Sequence, residues 1–131
     1  MTGGELQQGI IEAAMWRGWY VFHTALVGAH KRKVMCPKCL HWFFLKLRGQ
    51  LRGNGEGYPD LTLAHPVCGH AFVECKGEDE PLRPKQKEWL NVLAGSTERV
   101  AVWRPKHYDA ALEWLQHPGM EIPGRWKTPE V

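Results

Sequence analysis

At 131 residues the chain is long enough for one domain with a sizeable core. No apolar run approaches the length of a membrane-crossing helix, and Glu5 and glutamines stand where a secretory signal carries basic residues; a soluble, cytoplasmic protein is therefore expected. The net charge of +3 conceals a one-signed stretch: between Ala13 and Gly55 there are eight basic residues and no acidic one.

In chain order, Glu5 to Arg17 reads as a helix with Leu6, Ile10, Ala13, Ala14 and Arg17 near one stripe and Gly18 as its stop. Trp19 to Thr24, rich in aromatic and β-branched residues, reads as a strand. An insertion over 27–57 follows, in which Lys31–Met35 and the alternating Trp42–Arg48 suggest a hairpin. Its Lys31, Arg32, Lys33, Lys38, Lys46, Arg48 and Arg52 form a basic surface suited to DNA phosphates; the bland alternative is a solvated loop. Two short strands, Leu61–Ala64 and Ala71–Glu74, flank a turn over 65–70. Pro84 opens a helix that runs to Ala94 and ends at Gly95. A strand over Arg99–Arg104 and a helix over Lys106–Gln116 complete the set, and the proline-rich tail 118–131 is expected to order only by docking. The order α-β-insertion-β-β-α-β-α describes one α/β domain, a mixed sheet flanked by helices with a β-rich insertion.

The chemistry concentrates where Pro59-Asp60 is followed, thirteen residues on, by Glu74-Cys75-Lys76. Residues two apart share a strand face, so Glu74 and Lys76 point together and the Cys75 side chain points away. An antiparallel hairpin brings Asp60 to Glu74 at one sheet end. Hard carboxylate oxygens of this kind suit Mg²⁺ or Mn²⁺, with the Cys75 carbonyl as a further oxygen ligand and Lys76 beside the phosphate. The competing reading is an ordinary ion pair between Glu74 and Lys76 on an edge strand.

Gly57-Tyr58-Pro59-Asp60-Leu61 followed by Phe72-Val73-Glu74-Cys75-Lys76 resembles the PD-(D/E)xK nuclease superfamily. Pro84-Lys85-Gln86-Lys87-Glu88-Trp89-Leu90 resembles the helix after its catalytic strand, whose glutamine faces the site. The resemblance covers most of the chain outside about 25–56 and is greatest to virus-type replication-repair (VRR) nucleases and to Holliday-junction resolvases of archaeal and phage type. It implies a restriction-endonuclease-like fold and Mg²⁺- or Mn²⁺-dependent hydrolysis leaving 5′-phosphates. Asp60, Glu74, Lys76 and Gln86 would be the catalytic residues. Such families place a glutamate in the first helix, often where this chain has Gly3; Glu5 is the candidate here and Glu12 the substitute.

Cys36-Pro37-Lys38-Cys39 has knuckle spacing, and Cys68-Gly69-His70 adds a thiolate and an imidazole. Cys36, Cys39, Cys68 and His70 compose a Cys₃His structural zinc set; free thiols or a redox pair are the alternatives. Three functions follow. The first is a Holliday-junction resolvase acting as a two-fold homodimer on branched DNA. The second is a VRR-type or nicking nuclease on flaps or replication intermediates. The third is a non-catalytic zinc-ribbon module that binds nucleic acid.

Overall fold

The computed structural model describes residues 1–23, 30–35, 38–39, 42–47 and 55–128, with the backbone alone over 30–34 and 42–47. The chain divides into two compact units, one formed by Met1–Thr24 with Gly57–Val131 and the other by Ala25–Glu56.

The larger unit opens with helix α1, Gly3–Trp16. Thr2 caps it, its hydroxyl accepting the Glu5 N–H at 3.2 Å. Leu6, Ile10 and Ala14, four residues apart, are its buried stripe. Arg17, expected near that stripe, is instead the exposed C-cap, because the helix ends one residue earlier. Gly18 then takes φ 84°, a left-handed turn that glycine adopts without strain.

The chain continues through β1 (Tyr20–His23), then β4 (Leu61–His65), β5 (Gly69–Cys75), helix α2 (Pro84–Ala94), β6 (Val100–Trp103), a 3₁₀ turn (Pro105–His107) and helix α3 (Tyr108–Gln116). The four strands form one sheet in the order β1-β4-β5-β6. The β1–β4 and β4–β5 pairs are antiparallel, whereas β5 and β6 are parallel and joined through α2. The sheet is therefore mixed, as expected.

Strand alternation sorts the two faces. Leu61, Leu63, Ala71, Val73 and Cys75 pack with α1 and α3 in the main core. Trp19, Trp103 and Trp114 close that core, with Trp19 stacked on Trp114 at 5.5 Å and Trp103 edge-on to it at 6.2 Å. On the other face Val100, Val102 and half-buried Phe72 pack with Leu90 of α2. Trp16 does not join either cluster and is 89% exposed.

The tail orders by docking. Ile122 is buried, the Val102 N–H donates to the Gly124 carbonyl at 3.0 Å, and the Trp126 N–H donates to the Val100 carbonyl at 2.7 Å. The smaller unit contains β2 (His30–Met35) and β3 (Trp42–Leu47), an antiparallel pair in the register His30↔Leu47 to Met35↔Trp42. That is the hairpin the alternation implies.

Candidate active site

The hairpin β4–β5 builds the centre. Its register pairs Leu61 with Val73, which sets Asp60 beside the end of β5. The Cys75 N–H donates to Asp60 Oδ2 at 3.0 Å, tying the carboxylate to the end of β5. Pro59 is buried just before it. Upstream, Gly57 has φ 87° and lies so close to α2 that a Cβ there would sit 2.5 Å from the Lys85 carbonyl carbon. The Tyr58 ring meets Trp89 edge-on at 5.0 Å, and its hydroxyl is 2.8 Å from Thr62 Oγ1. The loop that presents Asp60 is thus seated on α2.

Glu74 is only 2% exposed although it carries a carboxyl. Gln86 Nε2 donates to its Oε1 at 3.2 Å, and Lys76 Nζ is 3.9 Å from the same oxygen. Its Oε2 is buried with no hydrogen-bond partner. Burial, and then the neighbouring charge of Asp60, push the Glu74 carboxyl up to about 8; Lys76 opposes the rise only in part. Cys75 points into the main core, where burial raises its thiol well above the ordinary range, so the sulfur is a neutral core group.

Gln86 does two jobs. It is the third residue of α2, where its Oε1 accepts the Arg83 N–H at 2.8 Å and satisfies a free helix-end donor. Its other end orients Glu74. Proline at the first helical position fixes that start, so the glutamine reaches the site from a rigid element.

Lys76 is 3% exposed and has a nearer carboxylate than Glu74: Glu80 Oε2, at 3.3 Å. Glu80 Oε1 accepts the Gly77 N–H at 3.0 Å. That bond, and then the Lys76 and Arg104 charges, hold the Glu80 carboxyl below its usual range. From the end of β6, Arg104 Nη1 donates to the carbonyls of Gly77 at 2.7 Å, Glu78 at 3.3 Å and Glu80 at 2.6 Å.

The start of α1 also reaches this loop, through Gly3 and not through Glu5. A Cβ on Gly3 would lie 3.1 Å from the Gly77 nitrogen and 3.2 Å from Glu80 Oε1. Glu5 is exposed and its carboxylate accepts from the Thr2 hydroxyl at 3.2 Å; Glu12, also exposed, accepts from Gln8 Nε2 at 2.9 Å. Asp60, Glu74, Lys76 and Gln86 are therefore brought together, while the first-helix glutamates are occupied within their own helix. Sequence reasoning missed Glu80 and Arg104. No spacing rule links either residue to Lys76 across a loop.

Among the remaining candidates, Cys68 is half-buried and its carbonyl accepts from Arg99 Nη1, while His70 is exposed with its ring edge-on to Phe72 at 5.4 Å. Lys38 and Cys39 are exposed. Cys36, Arg48 and Arg52, together with the side chains of Lys31, Arg32, Lys33 and Lys46, lie outside the described residues. No group of three or more metal-ligating side chains occurs among the described residues. No described helix is long and apolar enough to cross a membrane.

A buried carboxylate with one bare oxygen, beside a second carboxylate that raises its pKa, is a donor set that fits a hard divalent cation. The pair leans against a lysine at the end of a mixed sheet with helices on both faces. This fold and site define a nuclease of the PD-(D/E)xK kind, with a restriction-endonuclease-like architecture. The VRR-NUC domain family matches residues 5–106, and the chain belongs to it. A Fanconi-associated nuclease 1 homolog from Caenorhabditis elegans is 40% identical over 58 residues, which span 44% of this chain and 7% of that protein. The chain thus corresponds to less than a tenth of that relative. No solved structure matches. Family membership sets aside the non-catalytic zinc-ribbon reading.

Proposed function

We propose that this chain is a divalent-metal-dependent endonuclease that cuts branched DNA and leaves 5′-phosphates. The observation that carries the reading is Glu74, a buried carboxyl whose Oε2 has no hydrogen-bond partner and which lies within the influence of the Asp60 charge. Asp60 and Glu74, with the Cys75 carbonyl, would hold Mg²⁺ or Mn²⁺. The chemistry such a cation would supply is acidification of the attacking water and neutralisation of charge on the scissile phosphate. Lys76 would supply positive charge to the phosphate, and Gln86, donating to Glu74 Oε1, would hold that carboxylate in place for a cation. Glu5 assists only if its carboxylate leaves Thr2. The acid-free basic stretch before Gly55 offers charge for the DNA backbone.

Two branched substrates fit. A four-way junction requires two symmetric cuts and hence a homodimer. A flap or replication intermediate requires one active site, and membership of the VRR-NUC family favours this second substrate. The test is a panel of labelled duplex, flap, fork and four-way junction with Mg²⁺. Cleavage of branched DNA at least about tenfold faster than duplex is expected; paired cuts mark a resolvase. Equal rates on all four would overturn structure selectivity. Asp60→Asn and Glu74→Gln are expected to abolish cleavage while DNA binding survives, and full activity in either variant would remove the site.

A further inference from the structure

Two acidic side chains compete for one buried ammonium. Lys76 Nζ stands 3.3 Å from Glu80 Oε2 and 3.9 Å from Glu74 Oε1, and at 3% exposure it has little water as an alternative partner. The geometry points to Glu80 as a positioning residue that holds Lys76 off Glu74 and so leaves the Asp60–Glu74 carboxylates open to a divalent cation. This inference rests on the metal site proposed above.

Three features fix Glu80 in that role. Its Oε1 is held by the Gly77 N–H at 3.0 Å, which turns Oε2 toward Lys76. Its backbone is held by Arg104, which grips the carbonyls of Gly77, Glu78 and Glu80 with one guanidinium nitrogen. Its flank is closed by Gly3, where even a Cβ would approach Glu80 Oε1 to 3.2 Å. A half-exposed glutamate is thereby held at one carboxylate oxygen and at its backbone carbonyl. Without it, the ammonium loses its nearer carboxylate, and a buried ammonium then shifts toward the acidic oxygen already beside it, Glu74 Oε1 at 3.9 Å. A lysine seated on Glu74 occupies the carboxylate that the cation needs.

The test measures Mn²⁺ binding to the full chain without DNA, by electron paramagnetic resonance of the free ion. Glu80→Gln keeps the shape and removes the charge. It is expected to weaken Mn²⁺ binding about five- to tenfold, while Glu80→Asp stays within about twofold of wild type. In a Lys76→Ala background, Glu80→Gln is expected to change the affinity less than about twofold. A merely structural role for Glu80 gives the same loss with and without Lys76, and that result overturns the inference, as does wild-type binding by Glu80→Gln. Thermal unfolding in EDTA verifies that each variant is folded. Asp60→Asn separates the two levels. If it binds Mn²⁺ like wild type, the metal site itself is wrong. If it fails while Glu80→Gln binds normally, only the role of Glu80 falls.

Discussion

Replacing Glu74 by glutamine should make the metal-free protein more stable at alkaline pH while removing its activity. In the folded chain the Glu74 carboxyl is raised from 4.5 to about 8 by burial and by Asp60. Between those values the folded chain keeps a proton that the unfolded chain has released. Stability from this group is therefore full below pH 4.5 and is lost as pH climbs toward about 8. The slope is at most about 1.4 kcal/mol per pH unit. From pH 6 to 8 the wild type should lose about 2–3 kcal/mol that Glu74→Gln does not, since glutamine mimics the protonated acid at every pH. For a domain of this size that is roughly 8–12 °C in Tm. The assay is thermal unfolding by circular dichroism in EDTA, both proteins at half-unit pH steps, with the difference curve cancelling the other titrating groups. Parallel Tm–pH curves for the two proteins would refute the claim that Glu74 is held as a buried, largely protonated acid.

Gly57→Ala should cost about 2–4 kcal/mol, because the new Cβ meets the Lys85 backbone at 2.5 Å and the residue must keep a φ of 87°; an unchanged Tm would mean that the loop before Asp60 shifts freely. Gln86→Leu removes both the donor to Glu74 and the acceptor for the Arg83 N–H. It should lower kcat about 10–100-fold with a stability loss of only ~1 kcal/mol, read from steady-state cleavage and chemical unfolding. The cysteine and histidine spacing predicts about one zinc per chain by elemental analysis of protein purified without chelator; a metal-free, fully folded protein would reduce these cysteines to ordinary thiols.

The elements whose boundaries carry strong local signals were legible in the sequence. Pro84 and Gly95 bracket α2 as the structure has it, and alternation placed Glu74 and Lys76 on one face with Cys75 on the other. Asp60 meets Glu74 because a short antiparallel hairpin leaves little choice of register. What was illegible depends on contacts distant in sequence. Arg104 reaches Glu80 from 24 residues downstream, and nothing local to either announces the meeting. The contact of the α1 start with the loop after β5 was illegible for a similar reason. The site is approached by Gly3, whose lack of a side chain makes room for a carboxylate from another element.

The docked tail has a consequence for how the chain can assemble. By taking the Val102 N–H and donating to the Val100 carbonyl, residues 124–126 behave as a selvage along β6 and leave that border of the sheet with no free ladder to offer. Within this unit the opposite border, β1, ends the sheet with Tyr20 and Phe22 exposed. Among the described residues of this unit, β1 is the border left for growth of the sheet by strand addition. A chain cut short at Pro118 would lose the bonds that residues 124–126 make along β6 and bare that border.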